Sequence, residues 1–287
     1  MQYIASKCIR CGTCIAACDQ KALRAGERLV IDRAGCNRCG KCTEVCPTGA
    51  MSWIGREVSA DEAVRELSAD KIFFRTSGGG VTLSGGEPLL QAGFAREVLG
   101  GCLAQGIHTA VESNLTENWD VVETFLPLVK LWMCDLKLAD PELHRRCTGQ
   151  GNGRIISNLR QLADKGVPII VRTPVVPGVN DTAEAIDALC RIISGLGGNV
   201  AYELLGFHPL GFGKFDDLGM TNPMAGTGAL DGSILEELKK IPRRYGIKSN
   251  GMYPKSGDDR CLVVTVIMFL TTSQLSYNQA IEVKSDE

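Results

Sequence analysis

Eight cysteines near the start of the sequence carry its most specific chemical signal. They form two runs of identical spacing, C-x2-C-x2-C-x3-C, at Cys8, Cys11, Cys14, Cys18, Cys36, Cys39, Cys42 and Cys46. Proteins that hold two [4Fe–4S] clusters have this spacing, and the fourth cysteine of each run binds the cluster of the other run. The spacing therefore predicts one cluster on Cys8, Cys11, Cys14 and Cys46, and a second on Cys36, Cys39, Cys42 and Cys18.

Two other interpretations of these cysteines are weaker. A structural zinc ion takes four ligands from two separated C-x2-C pairs, which leaves the remaining cysteines of each run without a role. Disulfides need an oxidising compartment, and the sequence has no N-terminal apolar signal segment. The two runs also form an internal repeat with a constant offset, in which Ala22 and Ala50 follow in step. We therefore favour two iron–sulfur clusters.

Length and composition indicate a cytoplasmic protein with one small and one larger domain. The chain has 287 residues, 44% hydrophobic and 22% charged, with a net charge of −2. That charge does not favour a nucleic-acid partner, and no apolar run is long enough to cross a membrane. The five cysteines outside the runs are predicted to be buried thiols in a reducing compartment: Cys102, Cys134, Cys147, Cys190 and Cys261.

The pattern of elements divides the chain into three segments. Residues 1–58 form the predicted ferredoxin-like module, which is too small to fold on a hydrophobic core alone. Residues 59–250 alternate short β-branched strands with amphipathic helices, which predicts an α/β domain with a parallel sheet. Its first helix is predicted to be capped by Ser59, with Val64 and Leu67 facing inward, and a late helix is predicted from Ile234 to Tyr245. The segment 251–287 is uncertain: its apolar run Cys261–Leu270 is a last strand, an extension or an artefact of how the chain was defined.

Polar residues cluster where the predicted strands end. The carboxyl ends of parallel strands share one edge of a sheet or barrel, so these side chains are expected to form one site. The turn Ser84-Gly85-Gly86-Glu87 is predicted to hold an ammonium-bearing small molecule through its backbone groups and the Glu87 carboxylate. Taken singly, Lys137 and Arg172 are as well explained as members of surface ion pairs, and Asp135 as a helix cap. The strand-end residues are Ser84 to Glu87, Glu112 to Asn114, Asp135, Lys137, Arg172, Phe207 and His208.

Several segments together resemble one protein family. They are the double cysteine run, GGGVTLSGGEPLLQ, Met133 with the triplet Asp135-Leu136-Lys137, Thr148-Gly149, the segment Arg172 to Asp181, and Phe207 to Gly211. In combination they resemble the glycyl-radical enzyme activating enzymes, radical S-adenosylmethionine (SAM) proteins related to the pyruvate formate-lyase activase. The subgroup with a ferredoxin-type two-cluster insert is the most similar, and the resemblance covers roughly residues 5 to 250.

The resemblance implies a partial (β/α) barrel and roles for individual residues. Ser84, Gly85, Gly86 and Glu87 match the segment that binds the SAM amino group, and Arg172 lies on a strand lining the same pocket. Lys137 and His208, implied to be catalytic, match side chains at the carboxylate and adenosine ends of SAM. A monovalent-cation site is implied at Glu112, Ser113, Met133 and Asp135, although relatives often have Asp where this chain has Glu112.

The implied reaction is the reductive cleavage of SAM in an anaerobic, cytoplasmic setting. A reduced cluster gives one electron to the sulfonium, and the resulting 5′-deoxyadenosyl radical takes a hydrogen atom from a glycine of a partner glycyl-radical enzyme. The electron would come from a low-potential donor such as flavodoxin or ferredoxin. No partner is expected among nucleic acids or membranes.

One departure from the family pattern concerns the radical-initiating cluster. The family holds it with C-x3-C-x2-C, and no such triplet occurs in this sequence. We expect that the triplet and the first barrel strand are missing by N-terminal truncation, that a third cluster exists only in the full-length protein, and that this fragment is inactive. The alternative functions are a two-cluster electron-transfer protein without catalysis and a scaffold that docks a partner.

Overall fold

The computed structural model describes residues 1–197, 199–249 and 263–267, which fall into two compact units. The first unit contains Met1–Glu57 together with Pro209–Gly226. The second contains Val58–His208 and the described residues that follow Gly226. We describe each unit by itself. The predicted segment boundaries at 58 and 250 remain predictions.

The first unit carries the predicted repeat as two short ribbons and two short helices. Strand β1 (Gln2–Tyr3) pairs antiparallel with β4 (Met51–Ser52), and β2 (Leu23–Arg24) pairs antiparallel with β3 (Val30–Ile31). Helices α1 (Thr13–Ala16) and α2 (Lys41–Glu44) each begin directly after a glycine in a left-handed conformation. The small core contains Tyr3, Leu23, Cys42 and Met51. The two cysteine runs therefore fold alike.

The second unit begins with helix α3 (Ala60–Ser68), as the sequence predicts. Ser59 accepts a hydrogen bond from the Glu62 amide, and the Glu62 side chain accepts one from the Ser59 amide, which forms a capping box. Val64 is buried, and Leu67 packs against the core. Helix α4 (Lys71–Ser77) follows and was not predicted.

A parallel sheet with helical crossovers then forms the body of this unit. Its strands are β5 (Gly80–Ser84), β6 (His108–Ser113), β7 (Leu131–Asp135), β8 (Ile169–Val175) and β9 (Val200–Gly206). The intervening helices are α5 (Ala92–Ala104), α6 (Trp119–Glu123), α7 (Pro141–Thr148), α8 (Gly153–Asp164) and α9 (Ala183–Ser194). This architecture confirms the predicted α/β class. The strand and helix positions agree with the sequence pattern to within a few residues.

The end of the second unit differs in detail from the prediction. Helix α10 (Gly213–Leu218), which was not predicted, belongs to the first unit. The single helix predicted from Ile234 to Tyr245 is two helices, α11 (Gly232–Leu238) and α12 (Ile241–Arg244). Pro242 explains the break, because proline has no amide hydrogen to continue the helical hydrogen bonds.

Two further parallel strands complete the sheet. Strand β10 (Lys248–Ser249) pairs with β9, and β11 (Val263–Ile267) pairs with β5, giving the order β10-β9-β8-β7-β6-β5-β11. Within the described residues the two edge strands do not pair with each other, so the sheet stays open as a partial barrel would. The predicted apolar run therefore contributes a strand, whereas Cys261 lies outside the described residues.

The two faces of the sheet have different surroundings. One face packs against the helices in a large core that includes Leu83, Val111, Trp132 and Val171. The opposite face carries a smaller buried cluster of Ala110, Met133, Ile170 and Ala201. Because side chains alternate along a strand, the residues two positions after this small cluster share its face. These residues are Glu112, Asp135, Arg172 and Glu203, so a group of charged side chains follows the apolar cluster on the same face of the sheet.

Candidate functional site

A row of charged side chains, one cation among three carboxylates, crosses one face of the sheet near its carboxyl end. The strand register places Asp135 beside Arg172, and Arg172 beside Glu203. The Arg172 guanidinium forms two ion pairs, at 2.8 Å with Glu112 and at 3.1 Å with Glu203. All of these side chains are partly buried, and that of Arg172 is 19% exposed. The row is therefore a fixed arrangement rather than a set of solvated surface charges.

Ser84 connects this row to the glycine-rich turn. Its hydroxyl donates a 2.8 Å hydrogen bond to the second carboxylate oxygen of Glu112. Gly85 and Gly86 follow with φ values of 93° and 130°, in the region that favours glycine. The turn therefore leaves backbone groups bare next to a carboxylate. Such an arrangement suits the binding of a small cation or ammonium group.

The buried side chain of Glu87 stabilises the turn from the protein interior. Its carboxylate accepts hydrogen bonds from the Ser113 hydroxyl (2.8 Å), the Asn114 amide (2.7 Å) and the Leu89 amide (3.2 Å). The residue is only 9% exposed. The sequence predicts that this carboxylate contacts a ligand directly. The structure instead directs it into the protein, where it joins the turn after β5 to the loop after β6.

Burial raises the pKa of Glu87 to about 7, although its three hydrogen bonds oppose this shift. The protonated carboxyl therefore favours the fold. This stabilisation is complete below the ordinary pKa of 4.5 and is lost as the pH rises towards 7. Between about pH 4 and pH 8, we expect the unfolding free energy of the wild type to fall by about 3 kcal/mol relative to Glu87→Gln. Urea unfolding of the metal-free protein, followed by fluorescence of the buried Trp132, measures this difference.

Glu236 provides the control for this prediction. A hydrogen bond from Lys239 lowers the pKa of the exposed Glu236 carboxyl. Its contribution is therefore present at high pH and lost as the pH falls, so Glu236→Gln should give a small difference of opposite sign. If the Glu87→Gln and wild-type curves run parallel, the pKa of Glu87 is the same in the folded and unfolded states and the proposed effect of burial is wrong.

Three buried asparagines fix the loops around this row. The Asn158 amide group donates to the carbonyls of Leu115 and Glu117, in the loop after β6. Asn152 donates to the carbonyls of Leu138 and Ala139, after β7. Asn180 donates to the carbonyls of Lys137 and Pro174 and accepts from the Val176 amide. Each satisfies backbone groups that a buried loop could not otherwise pair.

Asp135 and Lys137 lie together at the end of β7, whereas His208 follows β9, which is separated from β7 by β8. The Lys137 ammonium is 3.6 Å from the Asp135 carboxylate. Burial raises the pKa of Asp135, while Lys137 and Arg172 oppose that shift. His208 comes two residues after β9 and is exposed. The carboxyl ends of adjacent strands thus carry all the predicted SAM-binding residues.

The residues predicted to hold a monovalent cation do not all point the same way. Glu112 lies on the face of the sheet that carries Arg172, and its carboxylate is engaged by Arg172 and Ser84. Ser113, the next residue along the strand, is buried and donates to Glu87. Met133 and Asp135 share the face of Glu112. The cation site therefore remains a prediction that would require Glu112 to exchange partners.

Sequence reasoning missed Glu203 and the roles of the asparagines. Glu203 lies in the middle of an apolar strand, VAYELLG, and this isolated charge in a buried strand was a usable signal. Asn152 directly precedes α8, where sequence suggests an ordinary cap, whereas Asn158 lies in the middle of that helix. The four described cysteines outside the runs are buried, as predicted. Burial raises the pKa of each thiol, which makes them unreactive.

In the first unit, four cysteines from both runs line one cavity of about 200 Å³. They are Cys8, Cys11, Cys14 and Cys46, the set that the spacing assigned to the first cluster. Within the described residues no group of three or more cysteine, histidine or acidic side chains converges as the ligands of a single ion do. Thiols around a cavity suit a group larger than one ion, so the residues fit an iron–sulfur cluster.

Hydrogen bonds to the sulfurs support the same interpretation. The Arg10 and Arg38 amides donate to Cys8 and Cys36, each at 3.4 Å, and both arginines have positive φ. Cys11 and Cys46 accept from the Thr13 hydroxyl (3.3 Å) and the Met51 amide (3.4 Å). Cluster-bound thiolates commonly receive such bonds. Burial raises the pKa of Cys42 to about 11, and the nearby thiols of Cys36, Cys14 and Cys18 add to this shift.

Comparison with known protein families shows which family the chain belongs to. Residues 34–190 match the model of the Radical SAM superfamily, and residues 7–50 match the 4Fe-4S dicluster domain. The chain belongs to the radical SAM superfamily. Within it, the chain is a member of the glycyl-radical enzyme activating enzymes, because relatives of that kind match most of its length. This confirms the family suggested by the sequence motifs and the predicted type of fold.

Curated relatives in this group span several partner enzymes. The isethionate sulfite-lyase activating enzyme of Oleidesulfovibrio alaskensis is 39% identical over 249 residues, covering 84% of this chain and 80% of the relative. The benzylsuccinate synthase activating enzyme of Thauera aromatica is 34% identical, covering 87% and 77%. The pyruvate formate-lyase 1-activating enzyme of Escherichia coli (strain K12) is 34% identical, covering 68% and 80%.

Solved structures agree with the fold of this radical SAM protein. A domain of the pyruvate-formate lyase-activating enzyme from Bacteroides vulgatus covers 60% of this chain and 98% of its own length, with 27% identity and a TM-score of 0.51. A radical SAM methyltransferase from Sphaerobacter thermophilus, at 18% identity and a TM-score of 0.52, shows the fold alone. No described helix is long and apolar enough to cross a membrane.

Proposed function

We propose that this chain activates a glycyl-radical enzyme by cleaving SAM reductively and removing a hydrogen atom from a glycine of that partner. The observation that carries the proposal is the row of Glu112, Asp135, Arg172 and Glu203 next to the bare turn Ser84–Glu87, at the carboxyl edge of a parallel sheet. In α/β proteins this edge is where ligands bind. SAM supplies the sulfonium whose cleavage gives the radical.

The residues of the row have different proposed roles toward SAM. The backbone of Ser84, Gly85 and Gly86 binds the amino group, and Glu112 places its negative charge beside that group. Arg172 and Lys137 offer positive charge for the carboxylate, and His208 borders the adenosine. Glu87 acts indirectly, since its carboxylate is buried and holds the turn in place. The burial of Glu87 and the exposure of His208 support this division of roles.

The clusters proposed for this chain are two [4Fe–4S] groups in the first unit. The cavity lined by four cysteines supports one of them, and the repeated fold supports the other. A third cluster, which initiates the radical in this family, would need the C-x3-C-x2-C triplet that the sequence lacks.

The partner class follows from the relatives, whose names give a sulfite-lyase, a dehydratase, a synthase, a trimethylamine-lyase and pyruvate formate-lyase. We propose a partner enzyme of this general class without choosing its substrate. A low-potential protein such as flavodoxin or ferredoxin would supply the electrons. The competing proposal is an electron carrier or scaffold without SAM chemistry.

The test has two stages, because SAM binding and SAM cleavage can fail separately. Equilibrium dialysis with labelled SAM measures binding by the cluster-loaded chain, and we expect Glu112→Gln to weaken that binding about tenfold. In the second stage, the protein expressed from the same reading frame extended through its upstream DNA is reduced with dithionite. Methionine and 5′-deoxyadenosine are then measured, and equal amounts of the two are expected. Absence of binding would overturn the SAM site. Binding without cleavage in the extended protein would favour the scaffold.

A further inference from the structure

The two cysteine runs belong to one repeat, so their surroundings can be compared residue by residue. The offset between the runs takes Leu23 to Met51, and both side chains are buried in the small core of the first unit. The same offset takes Ala25 to Trp53. The first run is therefore followed by a small side chain at the position where the second run is followed by an indole ring.

Trp53 lies against the turn of the second run. A side chain added at Gly40 would be 3.1 Å from Cζ2 and 3.2 Å from Nε1 of the indole ring. Gly40 is buried, and in sequence it lies between Cys39 and Cys42, two predicted ligands of the second cluster. An aromatic ring removes a large area from water. The indole therefore covers the backbone that joins these two ligands.

The equivalent turn of the first run is open. A side chain added at Gly12 would meet no atom within 4 Å, and Gly12 is only partly buried. Ala25, the counterpart of Trp53, is exposed and lines the cavity of the first-cluster cysteines together with Gly12. The second cysteines of the two runs, Cys11 and Cys39, are both exposed. The two sites therefore differ at the turn that Trp53 covers.

We propose that Trp53 shields the second cluster from dioxygen, so that on exposure to air the first cluster is lost before the second. The inference rests on the two clusters proposed for this unit, and it concerns their survival rather than their supply of electrons. Apolar side chains around a metal centre control the access of solvent to it. Dioxygen carries no charge, so the charged side chains around each cluster do not select between them.

The loss of the first cluster begins with an oxidation. One electron passes from the cluster to dioxygen, which becomes superoxide, and the oxidised cluster then releases one ferrous ion. As the remaining iron and sulfide dissociate, the four cysteines take up protons and become free thiols. The protein would pass through a form that holds the second cluster alone. Free thiols can be alkylated, so each cysteine reports the loss of its own cluster.

The repeat offers matched variants for the test. Trp53→Ala gives the second run the residue of the first, Ala25→Trp does the reverse, and Trp53→Phe keeps an aromatic cover. The cluster-loaded full chain is prepared without oxygen and diluted into air-saturated buffer. At intervals it is alkylated with iodoacetamide, and mass spectrometry gives the labelled fraction of each cysteine. The first set is Cys8, Cys11, Cys14 and Cys46, and the second set is Cys36, Cys39, Cys42 and Cys18.

In the wild type we expect the first set to be labelled about tenfold faster than the second. Trp53→Ala should bring the second set to within about twofold of the first and leave the first set unchanged. Trp53→Phe should stay within about threefold of the wild type, because a phenyl ring still covers the turn. Ala25→Trp should slow labelling of the first set about fivefold.

Several results would overturn the shielding role. Equal labelling of both sets in the wild type would do so, as would an unchanged second set in Trp53→Ala. If Trp53→Ala speeds both sets equally, Trp53 supports the fold of the whole unit and does not shield one cluster. If Trp53→Ala cannot be loaded with about eight iron atoms, Ala25→Trp decides alone, and an unchanged first set then counts against the proposal.

The inference and the proposed function can fail separately. Wild-type protein that holds only about four iron atoms would refute the two-cluster assignment and this inference with it. About eight iron atoms with equal labelling of both sets would refute the shielding role alone. None of these measurements contains SAM, so a failure of SAM binding or cleavage would leave their result intact.

Discussion

Replacing Cys8 and Cys46 together by alanine is expected to leave one intact cluster and about four iron atoms per chain. The two residues come from different runs but line the same cavity. Their cluster would lose two of its four ligands and would not persist. The second cluster, on Cys36, Cys39, Cys42 and Cys18, would keep all its ligands. Iron analysis and electron paramagnetic resonance of the reduced protein measure the outcome.

The matched variant exchanges one residue of this pair. Replacing Cys36 and Cys46 removes one ligand from each cluster if the fourth cysteines cross over, so neither cluster keeps a full set. If each run instead binds its own cluster, the two double variants exchange their results. An intact cluster in the Cys36 and Cys46 variant would therefore show that the ligands do not cross and that the assignment is wrong.

Replacing Arg172 by methionine is expected to destabilise the second unit by about 2 kcal/mol and to abolish measurable SAM binding. Arg172 is the cation between Glu112 and Glu203, and it lies beside Asp135 in the register. Its removal leaves three partly buried carboxylates facing one another. Because Arg172 opposes the effect of burial, the pKa of Asp135 should rise further. Urea unfolding and equilibrium dialysis with SAM check the two effects.

The control for this variant is a surface pair of the same kind. Arg145 lies 2.6 Å from Glu142, one turn away on a helix, with both side chains mostly exposed. Arg145→Met should cost less than about 0.5 kcal/mol, since water screens such pairs. Adding Glu203→Gln to Arg172→Met should restore part of the stability, because it removes one of the three negative charges that face one another. If Arg172→Met lowers the unfolding free energy no more than Arg145→Met does, the ion pairs of Arg172 do not stabilise the site.

The chemistry of the first unit could be derived largely from sequence. Ligand spacing is a local property, and the repeated C-x2-C-x2-C-x3-C runs indicate the ligand type and predict the crossed assignment. The alternation of strands and helices likewise predicted the sheet, because hydrophobic periodicity directly reflects which face each element buries. The strand ends then indicated which polar residues share one edge. The helix from Ile234 to Tyr245 was wrong where Pro242 interrupts its hydrogen bonds.

Only the tertiary structure decided what each of those residues does. It directed the Glu87 carboxylate inward to Ser113 and Asn114, although the sequence placed it in an exposed turn. It also added Glu203 to the row, although Glu203 lies far along the chain from Arg172, its partner. Local spacing specifies which atoms can bind a metal or a strand partner. Burial, charge pairing and coverage depend on chain segments that meet only after folding, so the sequence determined the kind of chemistry and the fold determined its arrangement.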